Sequence, residues 1–283
     1  MDTSIFKLQT WLEQRLRPRA ENSVWHNRIN ELLVFGYKNA VSCLFPVIIF
    51  SLLALSKIIP LSAIPRYDFL LACCLLVQAI LYITKLETGR EVLVICLFHI
   101  MGLCMEWFKV YHHSWSYPED AYTKFFGVPL YSGFMYASVA SFMCQAWRRF
   151  DLEMEQWSLQ WAALILGIAI YINFFTQHYI GDYRWWLAVL VIVAFFKSKV
   201  AFTTNTVRRR MPVVLSFILI GFFIWLAENI ATFFGAWKYA HQHDAWKTVH
   251  VQKIGSWVLM AIVSYIIVAE LKFAEKKLGK VTK

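Results

Sequence analysis

The chain has 283 residues, of which 59% are hydrophobic and 16% charged, and its mean hydropathy is +0.50. A soluble domain carries about a quarter charged residues, so a mostly water-exposed protein is excluded. The net charge of +10 would suggest nucleic acid in a soluble chain. In a membrane chain it reflects basic loops on one side of the bilayer, and no nucleic-acid partner is expected.

Residues 1–33 are polar and basic. Ile5, Leu8, Trp11, Leu12 and Leu16 recur at helical spacing beside Arg15, Arg17 and Arg19. This segment reads either as a short helix on the membrane surface or as a soluble tail. Apolar runs then predict helices at 34–55, 68–83, 91–111, 128–147, 157–176, 183–202, 211–235 and 253–273. A span needs roughly 20 residues, and the run at 68–83 is short for one. The expected fold class is all-α, a polytopic membrane bundle of about eight transmembrane helices. With the N-terminus inside, nineteen Lys and Arg fall on inner segments and eight on outer ones. The asymmetry predicts that both termini are cytoplasmic. The run Arg208-Arg209-Arg210 reads as an anchor on that side.

One constellation occurs twice, as Glu-x8-Trp-x-Tyr-x15-Gly. Glu106, Trp115, Tyr117 and Gly133 form the first copy. Glu228, Trp237, Tyr239 and Gly255 form the second, at a constant offset of 122 residues. This self-similarity predicts a parallel 4+4 internal repeat. The divisions would be an amphipathic segment 1–33, four-helix repeats 34–150 and 151–273, and a basic tail 274–283.

Glu106 and Glu228 are the candidate catalytic residues, because an ionisable group inside a span is costly and marks function. Two carboxylates in one poorly solvated site suit acid/base work. A structural alternative exists for Glu106, an ion pair with Lys109 one helical turn away. His99, two turns before Glu106 on the same face, is a candidate proton relay, metal ligand or core residue. Trp115, Tyr117, Trp237 and Tyr239 are candidates to line a substrate pocket and stabilise a cation, or else belong to the interfacial belt.

His112-His113 and the His241, His243, Asp244, His250 group show no diagnostic ligand spacing, so no metal is assigned. Six cysteines (Cys43, Cys73, Cys74, Cys96, Cys104 and Cys144) all lie in apolar runs, which is not a disulfide framework. No nucleotide-binding or protease motif is present, and the sequence names no cofactor.

Three blocks carry a likeness: Pro65-Arg-Tyr-Asp-Phe-Leu70, Leu86-Glu-Thr-Gly-Arg-Glu-Val92, and the stretch from Ser114 through Gly127-Val-Pro-Leu-Tyr131 to Asp151. With the region from Glu228 to Trp257, the chain resembles the uncharacterised bacterial YoaT-like membrane family over nearly its whole length. That resemblance implies a multi-pass protein of the bacterial inner membrane and no defined activity. The acid-x8-Trp-x-aromatic spacing is also similar to the repeats of membrane lycopene cyclases and carotenoid hydratases. On that likeness Glu106 and Glu228 would be proton donor and base, and Trp115 and Trp237 would shield a carbocation. Where the cyclases carry paired acids after the Pro, Leu130, Tyr131 and Ser132 follow Pro129 here. The favoured reading is a membrane enzyme acting on a lipid-soluble, isoprenoid-like molecule by carboxylate acid/base chemistry, with membrane lipid as its surroundings. A small-solute transporter or channel and a non-catalytic scaffold or sensor are the alternatives. The sequence leaves the oligomeric state open.

Overall fold

The computed structural model describes residues 4–19, 21–59, 64–157, 160–242 and 244–281. These residues are mostly helical. Ten helices run in chain order: α1 (Ser4–Arg15), α2 (Val24–Ser42), α3 (Leu44–Ile58), α4 (Arg66–Ile83), α5 (Gly89–Tyr111), α6 (Gly133–Arg149), α7 (Gln160–Thr176), α8 (Arg184–Phe195), α9 (Val213–Phe233) and α10 (Lys253–Val281). Seven short strands lie between them. β1 (Trp115–Ser116) pairs antiparallel with β7 (Lys238–Tyr239), and β2 (Lys124–Phe125) pairs with β3 (Val128–Pro129). β4 (Glu153–Glu155), β5 (Lys199–Thr204) and β6 (Val207–Pro212) form a three-stranded sheet. The bundle therefore has a sheet end, with β4–β6, and a loop end, with β1 and β7.

Apolar side chains face outward along the helices. Leu93, Ile100, Ile165, Ile168, Trp185, Val193 and Phe223 are all exposed, which is the surface of a helix in lipid rather than in water. Four helices are long and apolar enough to cross a membrane: α4, α5, α9 and α10. The pair α2–α3 makes a fifth if it counts as one bent span. By length and composition four or five helices among the described residues could cross, against the eight expected, and the other segments fall short for reasons that differ.

The predicted helix 34–55 breaks at Cys43, where α2 and α3 meet at 63°. Pro46 lacks an N–H and its ring crowds the carbonyl of Ser42, so a continuous helix cannot pass that point. α6 has 17 residues and keeps Ser138, Ser141, Gln145 and Arg149 buried, so it faces protein rather than lipid. α8 ends at Phe195 after 12 residues, about 18 Å of helix. The predicted helix 183–202 then becomes strand β5, where Val200, Thr203 and Thr204 pair with β6 through a turn at Asn205, whose φ is 52°. Thr and Val favour strands, and Asn tolerates a left-handed turn. At the N-terminus, α2 begins at Val24 and so runs across residue 33.

α5 packs chiefly on α6, and α9 on α10. Both α5 and α9 end in the same turn. The amide of His113 donates to Val110 O and that of Ser114 to Lys109 O, while Gly235 donates to Thr232 O and Ala236 to Ala231 O. His113 and Gly235 take φ of 52° and 68°. This left-handed cap closes off helical carbonyls and redirects the chain. It delivers the two segments that pair as β1 and β7, in the register Trp115↔Tyr239 and Ser116↔Lys238.

The sheet end is locked by buried charge. Glu91 is fully buried, 3.1 Å from Arg148 Nε and 2.7 Å from Lys272 Nζ, and it closes a capping box with Thr88 at the start of α5. Glu87, in the turn before α5, accepts from Ser141 and from Gln78. Burial pushes its carboxyl above the usual range, against those two hydrogen bonds. A carboxyl raised on folding contributes stability below its unfolded pKa and loses it as pH rises through the folded value. Glu87→Gln is therefore expected to raise the thermal midpoint at pH 7–8, with the gain vanishing near pH 4. Glu91→Gln is expected to cost about 3 kcal/mol, because it removes the fully buried carboxylate that Arg148 and Lys272 share, leaving Lys272 only Glu275. Thermal unfolding of both variants across that pH range checks the contrast.

Candidate functional site

The loop end brings Glu106 of α5 and Glu228 of α9 to one place. Both side chains are buried, at 5% and 3% exposure, and neither has a cationic partner within ion-pair distance among the described residues. They are satisfied by phenols and indoles instead. Glu106 accepts from Trp115 Nε1 (2.7 Å), Tyr117 Oη (2.7 Å) and Tyr136 Oη (2.8 Å). Glu228 accepts from Tyr239 Oη (2.5 Å) and Trp257 Nε1 (2.6 Å). All four carboxylate oxygens are thus engaged. Burial, followed by the adjacent carboxylate, pushes the Tyr117 and Tyr239 hydroxyls well above the usual phenol range. Both phenols therefore stay protonated donors at any physiological pH.

The Lys109 ion pair that offered a structural account of Glu106 is not formed. Lys109 Nζ lies 3.0 Å from Nε2 of His178. Burial, then Lys109 and the stacked ring of His112, hold His178 below the usual imidazole range, so it is the neutral acceptor of that contact.

Glu106 and Glu228 line one cavity of about 900 Å³, together with Trp115, Trp237 and Tyr239. Most of its wall is apolar, from Phe98 and Met105 of α5 through Val139 and Phe142 of α6 to Ile220 and Phe223 of α9. It runs toward Phe150 and Phe202 at the sheet end and reaches the lipid-facing surface between α3 and α9. Val47 and Phe223 line it there and are 52% and 63% exposed. Lys253, at the start of α10, also lines the cavity, with Nζ 5.2 Å from the Trp115 ring centre and 4.8 Å from that of Tyr239.

Of the residues singled out from sequence, Glu106, Glu228, Trp115, Trp237 and Tyr239 share the cavity, and Tyr117 stands behind Glu106 as a donor. His99 stands apart from the cavity wall. Its ring packs edge-on against Phe134, and its Nδ1 is buried without a hydrogen-bond partner. His241 and His250 have ring centres 4.5 Å apart, and His243 lies outside the described residues. Among the described residues no group of three or more His, Cys, Asp and Glu side chains could hold a metal ion.

Sequence reasoning missed Tyr136, Lys253 and Trp257. Tyr136 and Trp257 lie three and two residues past the repeated Gly133 and Gly255, so following the pattern past its last member would have reached them, whereas Lys253 lies two residues before Gly255.

The fold and the site define a helical membrane protein with two buried carboxylates, each held by phenol and indole donors, at the end of an apolar cavity. The chain belongs to the family described as Protein of unknown function (DUF817), which matches residues 31–265. It is 57% identical over 244 residues to Uncharacterized protein YoaT of Bacillus subtilis (strain 168), across 86% of this chain and 92% of that protein. No solved structure matches it.

Glycines set the two helix crossings beside the site. A Cβ on Gly102 would lie 2.5 Å from Tyr136 Cδ2, and one on Gly221 would lie 2.6 Å from the backbone nitrogen of Val258. The Gly102 clash includes Tyr136 Cβ at 2.9 Å, which no turn of the ring relieves. Gly221→Ala is expected to lower the thermal midpoint sharply by prising α9 from α10. Gly102→Ala is expected to lower it as well, by parting α5 from α6 and drawing the Tyr136 hydroxyl off Glu106. Gly36→Ala, with open space around it, is expected to be neutral or to gain up to about 1 kcal/mol from helix propensity. Melting curves of the three variants rank the effects.

Proposed function

We propose that this protein is an enzyme of the bacterial inner membrane that acts on a lipid-soluble molecule by proton transfer at Glu106 and Glu228. The observation that carries the reading is that both carboxylates open onto one apolar cavity. Such a cavity accepts a hydrocarbon body and places it against the two groups able to give and take a proton. The indole and phenol rings around them suit positive charge developing on a substrate carbon.

Several features support this over a path for a small solute. Of Gln78, His99, Asn173 and Ser216, only Ser216 lines the cavity. Gln78 is taken up by Glu87, and Asn173 by the Tyr183 amide. The opening between α3 and α9 faces where lipid would lie.

The same reading includes the duplication, with both basic termini on the cytoplasmic side. α5 and α9 and their closing turns correspond at the offset of 122, as do Tyr136 and Val258, while the glycines those two residues meet, Gly102 and Gly221, are 119 apart. In the β1–β7 register, Ser116 faces Lys238, and these two positions are themselves 122 apart. Antiparallel pairing of equivalent residues is what a local two-fold axis between the halves produces.

The test compares the extractable lipids of cells carrying wild-type protein, Glu106→Gln and Glu228→Gln at matched membrane levels. Gln keeps the size and most of the hydrogen bonding but removes the titratable proton. Wild type is expected to deplete one lipid-soluble species and accumulate another, and each variant to slow that conversion by about 10²–10⁴. An unchanged conversion in Glu228→Gln would contradict the mechanism.

A further inference from the structure

The cavity is not purely apolar at its loop end. Two lysines line it there, Lys109 from α5 and Lys253 from α10, beside the polar side chains Gln177 and Ser256. Neither ammonium has a carboxylate within ion-pair distance among the described residues. Lys109 rests on neutral His178 and the Phe108 ring, and Lys253 on the faces of Trp115 and Tyr239. Glu106 and Glu228 already accept from five neutral donors, and Asp182, the carboxylate that acts on Lys109, is paired with Arg184. A third cation stands behind the wall. Arg184 donates to Gln177 Oε1 (3.2 Å) and to Ser256 Oγ (3.3 Å). That leaves the Ser256 hydroxyl hydrogen free to point into the cavity.

Two unpaired ammonium groups in a poorly solvated site carry a large desolvation cost unless something anionic joins them. The apolar length below them takes a chain, not a free ion. We infer that the occupant is an amphiphile with a carboxylate or phosphate head, held by Lys109, Lys253 and Ser256, with its chain lying between α6 and α9 toward Phe150 and Phe202. Such a molecule would enter sideways between α3 and α9, tail and head together. This rests on the reading of the cavity as a lipid-soluble substrate site, and it names the class of that substrate. The two carboxylates then lie beside the first carbons of the chain rather than at the head.

The test uses the full chain in phosphatidylcholine nanodiscs and four probes: palmitate, hexadecyl phosphate, hexadecan-1-ol and inorganic phosphate. Affinity is measured for wild type, Lys109→Gln, Lys253→Gln, Lys253→Arg and the control Lys57→Gln. Lys57 lies at the same end but pairs with Glu119 and is 45% exposed. Palmitate or hexadecyl phosphate is expected to bind wild type at least about tenfold more tightly than the alcohol, as losing one charge-assisted bond would imply. Each Lys→Gln change at 109 or 253 is expected to remove about tenfold, with Lys253→Arg and Lys57→Gln close to wild type. Equal binding of alcohol and acid would overturn the anionic head while leaving the apolar site intact. Binding of inorganic phosphate as tight as hexadecyl phosphate would overturn the amphiphile in favour of a free anion. Failure of all three chain probes would overturn this inference together with the proposed function.

Discussion

Two pairs of residues joined across the chain, Trp115–Ser116 with Lys238–Tyr239, hold the rest of the loop end in place. They fix the ends of α5 and α9 side by side, and so bring two carboxylates carried 122 residues apart to one cavity. A buried carboxylate costs several kcal/mol unless its oxygens are occupied. Here the strand pair itself supplies that occupation. Trp115 and Tyr117 turn onto Glu106 and Tyr239 onto Glu228, while Tyr136 and Trp257 complete the set from α6 and α10. A hydrogen bond to a charged group contributes about 1.5–3 kcal/mol. Five of them hold the carboxylates without a counter-ion, which keeps the groups available for chemistry.

The cavity follows from how the helices pair. α5 and α6 close tightly where Gly102 meets Tyr136, and α9 and α10 close where Gly221 meets Val258. Each pair is dense within itself, whereas α3 and α9 barely touch. The space left between the pairs is the apolar cavity, and its exposed rim at Val47 and Phe223 is the gap between α3 and α9. The bend at Cys43 tilts α3 relative to α2 along the same side. At the sheet end, by contrast, each arginine of the run 208–210 finds an acid. Arg208 pairs with Glu153, Arg209 with Glu31 and Arg210 with Glu155. These pairs are largely exposed and individually weak, so they steady the sheet more than they stabilise the bundle.

Much of this was legible in the sequence. Apolar runs located α4, α5, α7 and α9 to within a few residues, because apolar length is a strong signal in membrane chains. The repeat spacing singled out Glu106, Glu228, Trp115, Trp237 and Tyr239, which the cavity gathers. What was not legible depended on three-dimensional context. Hydropathy cannot distinguish α6, whose Ser141 and Gln145 face Glu87 and Arg149, from a lipid-facing span. It also read Val200–Phe202 as helix, where partners on β4 and β6 make a strand. Lys253 read only as the first residue of the apolar run 253–273. Only the fold shows that it sits against the rings of Trp115 and Tyr239. The supposed partner of Glu106, Lys109, turned to His178 on a segment that no spacing rule connects to it.

The most direct test of the central claim is a disulfide across the strand pair. Opposed residues of an antiparallel pair have Cα atoms about 4.5–5.5 Å apart, within the range a disulfide bridges. In membranes treated with a mild oxidant, Ser116→Cys with Lys238→Cys is expected to form an intramolecular cross-link between the peptides that carry residues 116 and 238. Mass spectrometry of non-reduced digests would read it, with each single variant as the control. Efficient cross-linking with a retained thermal midpoint is the result this account predicts. No cross-link in the folded double variant would mean that the two carboxylates do not share a site.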